Sequence, residues 1–304
     1  MTNGASGDAR LSKNQRRDAA RDKARILREQ QKKKDRRGRF ALQGGLILGS
    51  LAVIAVVALI IVNSIRPPGP GPLNMLSDGI TVGTNFEAVK TAALASGKKP
   101  VATKPVAGSK TIAIQIYIDY LCPVCGAFEK ANSEQITTLV KQGAATIEIH
   151  PVAILDSKSL GSRYSTRAAN AAACVANFSP NRFYDFSALL FTNQPQESSA
   201  GLTNEKLTAL TVKAKVSEPA KVASCIADET FKSWTTDATT RAVSNPKLLS
   251  ASGQFGTPTV LVNGSKYAGS VADPTAFAQF ISSVAGASFT DPAVPAPAPA
   301  PPVG

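Results

Sequence analysis

Residues 40–65 read FALQGGLILGSLAVIAVVALIIVNSI, 26 positions without a charge and nearly all apolar. A helix needs about 20 apolar residues to cross the core of a bilayer, so this run predicts a single transmembrane helix. Further along, the period changes. Residues 111–119 (TIAIQIYID) place β-branched residues at alternate positions and end in a turn signal, which predicts a strand. From Cys122 to Gln142, Phe128, Ile136 and Val140 follow helical spacing, with Gly143 as a stop. Residues 145–154 (ATIEIHPVAI) predict a second strand. The stretch 160–245 is rich in Ala and shows no clear strand, so it predicts about four helices. Residues 257–262 (TPTVLV) predict a strand, Asn263-Gly264 a hairpin turn and residues 266–269 the returning strand. Asp273-Pro274 opens a last helix over 275–284. Strand–helix–strand, a helical block, then strand–strand–helix describes an α/β sheet with an all-helical insertion. No internal repeat is visible.

Composition divides the chain further. Residues 1–39 hold 14 of the 34 Lys+Arg and 5 of the 21 Asp+Glu, so +9 of the net +13 belongs to this basic arm. Lys and Arg stay on the cytoplasmic side, which predicts the N-terminus inside and the bulk of the chain outside. A cleaved leader would have an apolar region of about 7–15 residues. The run here is longer, and Arg66-Pro67-Pro68 is a poor cleavage context, so an uncleaved anchor in the cell membrane is expected. The arm enforces topology and can touch anionic lipid; no nucleic-acid partner is expected. Residues 66–77 begin with alternating Pro and Gly and read as a stiff linker. Residues 78–286 form the folded domain, with the helical insertion at about 160–245. Residues 287–304 form a Pro/Ala-rich tail, six Pro in its last 14 positions, expected to be disordered.

The overall composition excludes several chemistries. A hydrophobic share of 43% is too high for a fully disordered chain. With one His, His150, a multi-His metal site is impossible. No glycine-rich phosphate-binding run is present, which argues against nucleotide chemistry. The four cysteines carry the remaining signal. Cys122-Pro123-Val124-Cys125 falls where a strand meets a helix. A sulfur at a helix start lies near unpaired backbone N–H groups and the positive end of the dipole, which favours the thiolate of Cys122. Cys125 lies one turn on, within bonding reach and more buried. Pro123 suits a first turn, where its missing N–H is not needed. A c-type haem would need His after Cys125, where Gly126 stands, and zinc would need further ligands. Reversible dithiol–disulfide exchange is the reading favoured over an inert disulfide or a zinc site. No cofactor and no metal is expected.

YIDYLCPVC, then HPVAIL, then FGTPTVLVNG, resembles the DsbA-like thiol–disulfide oxidoreductases of the thioredoxin fold. The match covers about residues 78–286 and is similar to the membrane-anchored, exported members from Gram-positive bacteria with high-GC genomes. The resemblance implies a thioredoxin-like fold with a helical insertion, Cys122 as the exposed nucleophile and Cys125 as its partner. It also implies a cis-proline loop at Thr257-Pro258 facing the cysteines and pairing with an extended client peptide. It further implies reduced exported proteins as clients, and a membrane reoxidase of the vitamin K epoxide reductase or DsbB type as partner. Disulfide formation in exported proteins is the expected activity; a reductase or isomerase, and a non-enzymatic envelope chaperone or binding module, are the alternatives.

Two departures from the family pattern bear on potency. The Pro123-Val124 dipeptide supplies no charge where strongly oxidising members carry His. The buried acid found six residues before the first Cys in many thioredoxin-like proteins is Ile116 here. Asp119 and Glu129 are the nearest carboxylates, and Asp119 reads as a solvated turn residue. His150 reads as a capping or core residue, and Tyr117, Tyr120 and Trp234 as core or site-wall aromatics. Four cysteines allow three pairings, which sequence alone does not select. The spacing favours 122 with 125 and 174 with 225, over free thiols at Cys174 and Cys225. A bridge closing a loop of 51 positions is worth about 4 kcal/mol in the chain-entropy account.

Overall fold

The structure is a computed structural model that describes residues 21, 23–34, 36, 49–50, 53–55, 69–103 and 111–290. In the N-terminal unit, Met1–Pro67, the described residues are helical. The expected transmembrane run falls mostly outside the described residues. Among those residues, no helix is long and apolar enough to cross a membrane.

The second unit is built on a five-stranded sheet. Its strands are β1 (Ile80–Val82), β2 (Ile112–Ile118), β3 (Ala145–Pro151), β4 (Thr259–Val262) and β5 (Ser265–Lys266), ordered β1-β3-β2-β4-β5. Ile114, Ile116 and Ile118 of β2 are buried at alternate positions, which is what a pleated strand requires of this pattern. Helix α1 (Pro123–Lys141) carries the chain from β2 back to the parallel strand β3 and buries Phe128, Ile136 and Val140. Helix α7 (Pro274–Thr290) packs beside α1, Phe277 against Phe128 edge to face. It is capped by Asp273, whose Oδ1 accepts from the N–H of Thr275 and Ala276.

Between β3 and β4 lie five helices: α2 (Tyr164–Phe178), α3 (Phe183–Thr192), α4 (Asn204–Lys213), α5 (Pro219–Ala227) and α6 (Lys232–Val243). The Ala-rich α2 is buried on nearly every side and forms the axis of the insertion. Cys174 of α2 and Cys225 of α5 are disulfide-bonded.

Several boundaries differ from expectation. Strand β1 pairs antiparallel with β3 and has only three residues, too few to show a period. The domain begins before residue 78, because the proposed linker packs from Gly71 onward. Trp234 covers Gly71 so closely that a Cβ there would lie 2.7 Å from the indole. Met75 is fully buried, and Asn74 donates to the Ala176 carbonyl. Arg241 grips Asp78 with two hydrogen bonds of 2.6 and 2.7 Å. Strand β3 ends at Pro151 rather than 154, and β5 spans two residues rather than four. Helix α7 runs on to Thr290, into the segment expected to be tail, and residues 291–304 lie outside the described residues.

Candidate active site

Strand order places the site. Strand β4 runs antiparallel to β2, and its first residue, Thr259, pairs with Tyr117 near the C-terminal end of β2. The loop that precedes β4 therefore meets the turn that follows β2. That loop contains Thr257-Pro258, joined by a cis peptide bond. The turn contains Cys122, the N-cap residue of α1, with Pro123 in the first helical turn. Cys122 Sγ lies 3.3 Å from the Thr257 carbonyl oxygen.

The two cysteines are free thiols in unequal surroundings. Cys122, expected to be exposed, is buried at 6% exposure, with Pro123 and Val124 beside it reaching solvent, and Cys125 is 1% exposed. A hydrogen bond from the Cys125 thiol, helped by Thr257 and the N–H groups of Cys125 and Val124, outweighs burial and pulls the Cys122 thiol down to about 6. Burial pushes the Cys125 thiol well up, and the neighbouring Cys122 adds to it. One sulfur is thus ionised near neutrality while the other keeps its proton, the asymmetry needed for thiol exchange. Pro123 and Val124 are exposed beside the sulfur and bring no charge to it.

Gln194 escaped the sequence, as did the surroundings of Asp119 and Glu129. Gln194, in the chain just after α3, donates through Nε2 to the carbonyls of Tyr120 (3.1 Å) and Cys122 (2.9 Å). Its amide lies over Gly126, where a Cβ would fall 2.3 Å from Oε1. The insertion therefore holds the start of α1 by a side chain that no motif marks.

Asp119, expected in solvent, is fully buried. The chain beyond β3 covers the turn, and its carboxylate accepts from the N–H of Leu121 (2.9 Å) and of Leu155 (3.0 Å). Burial pushes its carboxyl up to about 6. Asp119 ties the loop before Cys122 to the segment after β3.

Glu129, one turn beyond Cys125, is half-buried, and burial pushes its carboxyl up to about 7. His150 sits inside β3 rather than at the cysteines. Its ring stacks on Tyr117 (4.2 Å), and its Nε2 lies 3.6 Å from Glu148. Glu148 also accepts from Ser77, Thr103 and Gln115. Burial alone would raise the Glu148 carboxyl, but His150, Gln115 and Ser77 hold it at about 2. Tyr120 and Trp234 are buried, the Tyr120 hydroxyl donating to Ser187 (3.1 Å).

The fold has known relatives. A family model described as thioredoxin matches residues 103–282. The crystal structure of reduced DsbA from Mycobacterium tuberculosis is 30% identical, with a TM-score of 0.52, covering 69% of this chain and 93% of that one. Oxidised BdbD from Bacillus subtilis, 18% identical, shares the fold with a TM-score of 0.51 over 73% of this chain and all of that one. Among curated proteins, the serine/threonine-protein kinase PknE of Mycobacterium tuberculosis is 33% identical over 116 residues, 37% of this chain. The match covers 20% of that kinase, so the chain spans about a fifth of the length of the curated relatives it matches. By its matched family model, its fold and its paired cysteines, the chain belongs to the DsbA-like thiol–disulfide oxidoreductases of the thioredoxin family.

Proposed function

We propose that this oxidoreductase works outside the cytoplasm as an oxidase, introducing disulfides into exported proteins while residues 40–65 anchor it in the membrane. The observation that carries the reading is the unequal placement of the two thiols, Cys122 at the start of α1 beside the Thr257 carbonyl and Cys125 buried behind it. A Cys122 thiolate stabilised at about pH 6 is a good leaving group, and it favours the reduced enzyme over the oxidised one. A client thiolate attacks Cys122 Sγ of the oxidised pair. The Cys122–Cys125 bond breaks and Cys125 leaves with the electron pair. A second client thiolate attacks the client sulfur of the mixed disulfide, the client disulfide forms, and Cys122 leaves as thiolate. Two electrons have passed from client to enzyme, and a membrane reoxidase of the vitamin K epoxide reductase or DsbB type would return the pair to the disulfide. The Thr257 backbone beside Cys122 would pair with an extended client, and exposed Val124 would give it an apolar contact; the 3.3 Å approach of Thr257 to Cys122 supports this.

Trapping tests the role of Cys122 in this reading. The Cys125→Ser protein cannot resolve a mixed disulfide, so incubation with an oxidised peptide should leave the peptide bonded to Cys122. The Cys122→Ser protein should trap none. Equal trapping by both variants would remove Cys122 from its role as nucleophile. A reductase is the second reading, and the uncharged Pro123-Val124 dipeptide favours it.

A further inference from the structure

Two cavities meet at Glu129. The first, about 10 Å³, lies against the sheet behind the active site and is lined by Cys125, Glu129 and Ser187 among apolar side chains of β2, β3 and α3. That volume has room for about one water, and these three residues supply polar partners for it. The second is an open groove of about 450 Å³ between α1 and α3, lined by Gly126, Glu129, Lys130 and Gln194 among others. Glu129 is the carboxylate common to both, with Tyr184 and Phe191 beside it. Its side chain thus bridges the buried surroundings of the Cys125 sulfur and the solvent-open groove.

Cys125 needs such a bridge. Its thiol is protonated at neutral pH and nearly closed to water. Each exchange must remove that proton or restore it. We propose that Glu129 is the proton acceptor and donor for Cys125, acting through one water in the small cavity and exchanging with solvent through the groove. When the Cys125 thiol attacks a Cys122 mixed disulfide, its proton passes to the Glu129 carboxylate. The Cys125–Cys122 bond forms, and the bound partner leaves as thiolate. In the opposite direction Cys125 leaves as thiolate and takes the proton from the protonated Glu129 carboxyl. A carboxyl held near pH 7 by burial is matched to both roles. The other titratable groups facing it are Lys130 on its own helix, Tyr184 on α3 and Tyr120 before α1, while β2 and β3 offer only Ile side chains.

The inference rests on the Cys122–Cys125 pair being redox-active, and the test separates the two claims. The full-length protein in detergent is converted at acid pH to the Cys122 mixed disulfide with thionitrobenzoate, then jumped to pH values from about 5.5 to 8.5. Release of thionitrobenzoate reports attack by Cys125. Wild type should show a rate step near pH 7. Glu129→Gln should close about tenfold or more slowly at pH 7 and lose the step, with an unchanged circular dichroism spectrum and melting temperature. Glu129→Asp, which keeps a carboxylate at the cavity, should recover part of the rate. A Glu129→Gln protein with the wild-type rate and pH profile would overturn the relay while leaving the redox pair intact. A wild type that releases no thionitrobenzoate would overturn both claims.

Discussion

The sulfur of Cys122 lies 3.3 Å from the carbonyl oxygen of Thr257, across a separation of 135 positions in the chain. The antiparallel pairing of β2 with β4 brings them together, because Tyr117 opposite Thr259 fixes how far each flanking loop reaches. The sheet register therefore sets the distance between the nucleophile and the backbone that faces it.

The first expectation concerns pH. Alkylation of the reduced protein should show one reactive thiol, Cys122, with a midpoint near 6, and Cys125 unreactive through the same range. The folded value lies below the ordinary value of 9.0. The ionised thiol therefore stabilises the reduced fold fully above the unfolded value, and this contribution is lost as pH falls through about 6. Melting curves should show the reduced form gaining on the oxidised form as pH rises from about 6 to 9. A midpoint near that ordinary value would contradict the geometry.

Gln194 and Gly126 give a second expectation. Alanine at position 126 needs space that the Gln194 amide occupies. The amide must move and release the carbonyls of Tyr120 and Cys122. Gly126→Ala and Gln194→Ala should each destabilise the protein by about 1–3 kcal/mol, and the double variant should cost less than the sum, because both act on the same contact. Urea unfolding of the three variants measures the coupling. Full additivity would show that the amide does not hold the start of α1.

The Cys174–Cys225 bridge gives a third. Replacing both with Ala should cost about 2–5 kcal/mol, read from thermal or denaturant unfolding. The bridge joins α2 to α5 within the insertion, so the reduction potential of the Cys122–Cys125 pair should not move. A shifted potential would show that the bridge strains the active site.

How much of this was legible beforehand varies with the range of the interaction. Alternating Ile in β2 and the helical spacing of Phe128, Ile136 and Val140 are local patterns, and both strand and helix formed where they indicated. Strand β1 is held by its pairing with β3, a partner about 67 positions away in register, rather than by any pattern of its own. The burial of Asp119 depends on the chain after β3 folding across it, so a turn residue that looked solvated became a buried tie. Gln194 carried no signal, because an amide bonding two backbone carbonyls leaves no spacing in the sequence. Glu129 was visible as a nearby carboxylate, but its position between two cavities needed the packing of α3 against α1. The far end of the linker packs against the domain because Gly71 owes its burial to Trp234, over 160 positions away.

The central claim is that the pair gives disulfides away. The most direct test is the reduction potential of Cys122–Cys125 in the full-length protein, equilibrated in glutathione buffers, with mass spectrometry distinguishing this pair from Cys174–Cys225. The account predicts a value above about −180 mV, in the range of proteins that donate disulfides. A value of about −250 mV or below, near that of thioredoxin, would contradict it and make the protein a reductase.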